Sequence, residues 1–433
     1  MPFPSEAKYT PLCRVISVPK FAHMSDIHIG AFRQPELRAL VLDAFEKAID
    51  RCISEKVSFI VLAGDIFDSN IPDLSSVRRA AEKMKQAIDS GIRFYAIYGS
   101  HDFSPNYSSI VDVLDGAGMF TKAEEMSNFQ GKISLSFVED PTGVKICGIS
   151  GRKLAIDREA YAVLDRERLE AEPGIKVFVF HGAIEELRPP TLEKMEAMPL
   201  SSLPAGFDYY AGGHVHSHQL KSLPGHRNVA FPGPLFATDY SELLQLAKGE
   251  ERGFYIVDFG EGVSKVEFVP IRVCDVVEIY YSAHGKSSSQ VAKELNELAS
   301  GTNLGGKVIL LTVEGELSEG KTSDIDFAAV RKRLTASAPL IVLSNNSRLT
   351  SKEQVKQTGP PIPVHVTERQ LFEKEISRVK SEEPKLRGEK GVSLALDLLR
   401  TLKEGKKENE TKSAFEERTY RAGFAVLGLE ADE

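Results

Sequence analysis

The chain has 433 residues, 42% hydrophobic and 27% charged, with 33 Gly and 22 Pro; at about 150 residues per domain this is too long for one ordinary core, and too apolar for a disordered or fibrous chain. No apolar run approaches the roughly 18 to 20 residues of a membrane helix, the first 20 residues lack a signal-peptide core, and the four cysteines (Cys13, Cys52, Cys147, Cys274) form no C-x-x-C pair. The expectation is a cytoplasmic protein with no membrane segment, zinc ribbon or disulfide framework; a net charge of −8 disfavours a uniformly basic nucleic-acid binder but allows a cation-neutralised acidic site beside a local basic surface.

Residues 1 to 18 read as an N-terminal extension. The next two hundred alternate short apolar runs with amphipathic patterns, the βαβαβ signature of an α/β layer. A first strand ends over Phe21 to Met24. Leu37, Leu40, Val41, Ala44, Phe45, Ala48, Ile49 and Cys52 then recur at helical spacing and give one apolar face. Phe59 to Ala63 is a buried strand by its β-branched content, Leu74 to Ile88 a second amphipathic helix, and Phe94 to Tyr98 a third strand. Further strands are predicted at Ile133 to Val138, Val144 to Ile149, Val177 to Phe180, Tyr209 to Ala211, Gly253 to Phe259 and Val266 to Ile271. A first domain thus runs from 19 to 271.

From 272 to 348 the pattern restarts as a small α+β unit: a strand to Tyr281, a helix over Ser289 to Ala299, a strand at Val308 to Val313, a helix over Ile325 to Leu334, and a strand at Leu340 to Ser344. Residues 349 to 366, with Gly359-Pro360-Pro361-Ile362-Pro363, read as an extended linker. Residues 367 to 433 are rich in Glu, Lys and Arg, with apolar groups at Leu371, Phe372, Ile376 and at Val392, Leu394, Leu396, Leu398, Leu399. That stripe suits a helical arm that docks on a partner, and the composition suits a partly disordered tail equally well.

The chemistry-bearing residues fall at the C-terminal ends of predicted strands, where open α/β sheets place their sites. They are Asp26-Ile27-His28, Gly64-Asp65-Ile66-Phe67-Asp68, Gly99-Ser100-His101-Asp102, His181-Gly182, and Gly213-His214-Val215-His216. In extended segments, residues two apart point the same way, so Asp26 with His28, and His214 with His216, can each grip one metal. Asp65 has two oxygens with which to bridge two cations, and His101 can act as a general acid near neutral pH. A single histidine at a strand end is more often structural than a ligand, but five such clusters are hard to place by chance. A surface role is expected for His218, His226, His284, His365 and His23.

The ordered motifs D-x-H, GD-x-x-D, a G-N-H-D-like turn, H-G and G-H-x-H resemble those of the calcineurin-like metallophosphoesterases. GDIFDSNIP, the small second unit and the charged arm resemble SbcD and meiotic-recombination-eleven nucleases. The resemblance implies a metallophosphoesterase sandwich with a small α+β capping domain and a helical C-terminal arm. It further implies two divalent cations, one held by Asp26, His28, Asp65 and His216, the other by Asp65, Ser100, His181 and His214, with His101 beside the leaving oxygen and Asp68 orienting it. Mixed carboxylate and imidazole ligands suit manganese, and iron, zinc or magnesium remain open by ligand type. Ser100 stands where the family pattern has Asn, which weakens the second site. The implied function is a DNA nuclease for double-strand breaks, acting as a 3' to 5' exonuclease and single-strand endonuclease, homodimeric and joined to an SbcC-type coiled-coil ATPase. Its rivals are a phosphatase or cyclic-nucleotide phosphodiesterase on the same metal site, and a catalytically weak DNA-end-binding scaffold.

Overall fold

The computed structural model describes residues 19–103, 109–129, 131–151, 157–188, 195–299, 304–352, 364–376, 383–407 and 412–429. Two compact units separate by contact, one ending at Lys352 and the other starting at Glu353. The expected extension 1–18 and most of the expected linker lie outside the described residues. No described helix is long and apolar enough to cross a membrane.

Strands with alternating large side chains can bury both faces, and two six-stranded sheets here do so against each other. The first runs, edge to edge, Val263–Pro270, Gly253–Phe259, Lys20–Met24, Phe59–Ala63, Arg93–Ile97, Thr121–Lys122. The second runs Gln219–Leu223, His226–Phe231, Tyr209–Gly213, Lys176–His181, Lys145–Ile149, Val138–Glu139. Period-two alternation decides which side chain goes where. Phe59, Val61 and Ala63 point into the sandwich with Phe21, Val177, Val179, Tyr209 and Ala211, and the Phe21 and Phe59 rings stack there at 4.9 Å. Ile60 and Leu62 point outward and pack under the helices Pro35–Glu55 and Leu74–Asp89. On the far side Phe178, Phe180 and Phe231 form a separate core with Leu169 and Leu203.

The central strands are parallel. Phe21 to Met24 pairs with Phe59 to Leu62, Phe59 to Ala63 with Arg93 to Ile97, and Tyr209 to Gly213 with Val177 to His181. Parallel order brings their C-terminal ends to one edge of the sandwich, where all five expected clusters begin.

Most boundaries of the foreseen elements fall within a residue or two of expectation, and two differences have physical causes. The expected strand at Ile133 to Val138 is two strands, because the chain changes partners: Lys132–Leu135 pairs with Met126–Phe129, and Val138–Glu139 with Lys145–Ile149. Between them Ser136 donates its amide to the Glu125 carbonyl at 3.0 Å. His23 and His226 are buried rather than superficial; His23 Nδ1 meets the Tyr209 hydroxyl at 3.0 Å, and His226 Nε2 meets the Leu203 carbonyl at 3.2 Å. His218 and His284 are exposed, with His218 stacked on Phe268 at 4.2 Å. Lastly, the helices Ile110–Gly116 and Tyr240–Ala247 and the strands Gln219–Leu223 and His226–Phe231 are among the elements not foreseen.

The strands Val276–Ser282, Val308–Leu317 and Ile341–Asn345 form a parallel sheet joined by Leu349–Ser351, with helices Ser288–Leu298 and Phe327–Thr335 over Ile309, Leu311 and Val313. Val308 and Leu310 face the other way, into the core that holds Leu243 of the 240–247 helix. That helix lies against the strand Val276–Ser282.

From Glu353 onward the described residues are helical: Val364–Ile376, Gly388–Lys403 and Lys412–Leu427. The pairs Arg369–Glu389, Lys403–Glu368 and Arg418–Glu404 link them. Of the expected apolar groups only Val392 is fully buried, while Leu371 is exposed.

Candidate metal centre

The first two site loops run side by side as a short backbone ladder. The amides of Asp26, His28 and Ile29 donate to the carbonyls of Gly64, Asp65 and Ile66 at 3.0 Å each, and Asp68 returns a bond to Ile29 at 3.1 Å. The ligand side chains do not converge through extended geometry, as the two-apart spacing suggested. Asp26, His28, Asp65 and His214 have φ of 51°, 49°, 51° and 86°, so left-handed kinks turn them inward, a conformation that for non-glycine residues concentrates at functional sites. Gly64 is needed for closeness: at φ 85° a Cβ there would lie 2.5 Å from His181 Nδ1.

Inside, the groups lie within ligand reach of one another. His181 Nε2 is 3.2 Å and His28 Nε2 3.8 Å from Asp65 Oδ2. The His28 and His216 Nε2 atoms face each other at 3.3 Å, and His216 Nε2 lies 3.9 Å from Asp26 Oδ1. Three sets each bring donor atoms within 4.8 Å: Asp26, His28, His216; Asp26, Asp65, His181; and His28, Asp65, His101. Ser100 Oγ is 3.5 Å from Asp65 Oδ2. His214 belongs to none of the three sets; its ring lies 5.3 Å from that of His181, and its amide donates to Asp26 Oδ1 at 2.8 Å. His28, Asp65, Ser100, His101, His214 and His216 open onto one cavity of about 560 Å³.

The expected pairing of Asp68 with His101 takes another form. The Asp68 carboxylate turns to His28, 3.2 Å from its Nδ1, while His101 Nδ1 bonds the Asp68 carbonyl at 2.8 Å. The His101 ring is therefore oriented by the backbone, because the turn at 65–68 presents a carbonyl closer than a carboxylate.

Sequence reasoning named Asp102 without giving it a role, and missed two further supporting residues, Ser25 and Glu242. Asp102, fully buried, accepts from the amides of Ile66, Phe67 and Gly99 at 3.2, 3.1 and 2.9 Å, tying two ligand loops together. Ser25 Oγ donates to Asp26 Oδ2 at 2.6 Å. Glu242 Oε1 accepts from His216 Nδ1 at 2.6 Å. The signal for Glu242 is Asp239-Tyr240-Ser241-Glu242, a capping pattern at the head of its helix; Asp239 accepts from the Glu242 amide at 2.8 Å.

The electrostatics are those of a cluster holding protons where a cation belongs. Burial opposes charge on Asp65, yet the neighbouring His181, His28 and the His101 amide hold its carboxyl far below the usual range. Burial likewise opposes charge on His181, and the Asp65 and Asp26 carboxylates outweigh it, pushing the ring up to about 10. Burial and the charge of His181 drive His214 down to about 4.

The donor set fits divalent cations on one further observation. Among the described residues, His181 Nε2 is buried without a hydrogen-bond partner, although an Asp65 carboxylate oxygen lies at 3.2 Å. Distance is satisfied and alignment is not, as expected where nitrogen and oxygen lone pairs aim at a shared ion rather than at each other.

Residues 19–218 match the model of the calcineurin-like phosphoesterase family. This stretch, just under half of the chain, is similar to that family. Among curated proteins, this chain is similar to "DNA double-strand break repair protein Mre11" of Methanococcus maripaludis, 25% identical over 55% of this chain and 63% of the relative. Proteins of the same name match in Methanopyrus kandleri (24% identical, 60% of this chain, 59% of the relative) and Sulfolobus acidocaldarius (26%, 64% and 70%). The match thus spans about three-fifths of the first two relatives, 63% and 59%.

Proposed function

We propose that this chain is a two-metal DNA phosphodiesterase that processes double-strand breaks as the nuclease subunit of a complex with an SMC-like ATPase. The carrying observation is the meeting of Asp26, Asp65, His28, His181 and His216 in one partly buried cluster, with His181 Nε2 left without a hydrogen-bond partner. Asp26, His28, Asp65 and His216 would hold one cation, and Asp65, Ser100, His181 and His214 the other, with manganese favoured by the mixed donors. When bound, such a pair of cations supplies Lewis acidity at the phosphate and lowers the pKa of water. The protein's part is orientation and proton handling. With Nδ1 engaged by the Asp68 carbonyl, the other His101 nitrogen is available to the cavity and can give a proton to the leaving oxygen.

The names of the relatives support DNA as the substrate. The helical residues after Glu353, with Leu371, Leu402 and Tyr420 exposed, support a docking role toward the coiled-coil ATPase, and homodimerisation follows from the same resemblance. The rival reading, a catalytically weak end-binding scaffold, rests on Ser100, whose hydroxyl is a shorter donor than an Asn amide.

The test is cleavage of hairpin and plasmid DNA against small phosphoesters with manganese supplied, in wild type and His101→Ala. DNA cleavage that falls by about 10²- to 10⁴-fold in the variant, with metal content unchanged, is the expected result. Activity confined to small phosphoesters, or loss of both ions in the variant, would overturn it.

A further inference from the structure

The 240–247 helix carries two side chains toward the site and one apolar side toward the 276–282 strand. Glu242, 7% exposed, has each oxygen committed. Oε1 accepts from His216 Nδ1 at 2.6 Å; Oε2 accepts from the Thr238 amide at 2.8 Å and its hydroxyl at 3.0 Å. One turn on, Gln245 Oε1 accepts from Arg252 Nη2 at 2.6 Å, and Arg252 Nη1 donates to the His216 carbonyl. Arg252 is 3% exposed, so its charge sits in a closed setting with Glu250 Oε1 3.4 Å away. His216 is thereby gripped at both its ring and its main chain. Elsewhere in the site Asp26 is held by Ser25, His28 faces Asp68, and Asp102 ties two loops together; the His216 loop is held by a glutamate and an arginine.

An imidazole can offer Nε2 to a metal only if its proton resides on Nδ1, and the bond made by the other nitrogen sets which tautomer is present. A carboxylate on Nδ1 also raises ligand basicity and fixes the ring plane. We propose that Glu242 and Arg252 are positioning residues for His216: the carboxylate keeps the proton on Nδ1 and points Nε2 at the Asp26–His28 cluster, and the guanidinium anchors the carbonyl that sets where the ring hangs. The inference rests on the two-metal reading. It adds that one of the two cation sites is tuned from a helix that no ligand motif contains.

The test is calorimetric titration of the metal-stripped full chain with manganese chloride, alongside ¹⁵N-histidine NMR of the stripped protein. Wild type should take up two ions. Glu242→Ala should weaken one of them by about 10- to 100-fold and leave the other within a few-fold; Glu242→Gln, which keeps an acceptor oxygen, should recover most of the loss; Arg252→Met should weaken the same ion. At alkaline pH, where the ring is neutral, the His216 signals should show a protonated Nδ1 and a bare Nε2 in wild type, a readout that needs no variant to fold. Equal uptake by wild type and Glu242→Ala, no recovery with Gln, or the proton on Nε2 would overturn the assignment. Failure of wild type itself to bind manganese would instead refute the two-metal reading.

Discussion

Asp102→Ala is the perturbation whose cost can be worked from the structure. Its carboxylate accepts from three buried amides, two in the Asp65 loop and one in the Ser100 loop. An orphaned buried donor costs about 1 to 3 kcal/mol, so the loss of three partners should destabilise the metal-free protein by roughly 3 to 9 kcal/mol, the upper end applying if no water enters. Asp102→Asn keeps one acceptor oxygen and should cost roughly half of that. Ionisation works in the opposite sense: burial, then the charge of Asp65, push the carboxyl up to about 6. A raised acid contributes its stability below its unfolded value near 3.8 and loses it as pH climbs through 6, so wild type gives up about 3 kcal/mol over that window and Asp102→Asn does not. Urea unfolding of chelator-stripped protein at pH 3.5, 5 and 8, following the first transition, measures both effects. A loss below about 1 kcal/mol for Asp102→Ala at pH 5 would refute the bracing role.

Other outcomes follow from the same geometry. Ser100→Asn places the longer amide donor beside Asp65 and should tighten the binding of one of the two manganese ions, measured by titration; unchanged affinity would show that position 100 does not ligate. Because Asp65 and Asp26 keep the buried His181 ring protonated up to about 10, metal-free protein should be most stable below pH 6.5 and lose that contribution as pH rises through 10. Cation affinity should tighten over the same window, since a ligand imidazole must be neutral; thermal melts and titrations across pH check both signs. A chain ending at Lys352 comprises one whole compact unit and should fold, bind manganese and cut DNA while losing the ATPase partner; retained binding would move the docking surface elsewhere.

The sandwich is legible in the sequence because its central strands are buried on both faces and read as unbroken apolar runs, as in Phe59 to Ala63. The site loops are legible because each follows such a run. Less visible is how they converge: nothing in Asp26-Ile27-His28 announces left-handed backbone, since aspartate and histidine only tolerate it. The Ile133 to Val138 run hides a change of strand partner, which hydrophobic content cannot encode. His23 and His226 show the limit for lone histidines, whose burial depends on a hydroxyl or carbonyl from a distant strand. Glu242 is missed because its helix is short and begins in a polar loop, though the Asp239 cap marks it.

The four inward kinks at Asp26, His28, Asp65 and His214 also bear on how such a protein decays. Each non-glycine residue held there loads the native state by about 1 to 3 kcal/mol, tension that the flanking strands contain whether or not a cation is present. Asparagine tolerates the same bend as aspartate, so Asp26→Asn or Asp65→Asn would relieve charge crowding while leaving the backbone path open. The scaffold can therefore outlive its chemistry: a descendant silenced by one amide would keep every strand in register, and shape alone would not betray the loss.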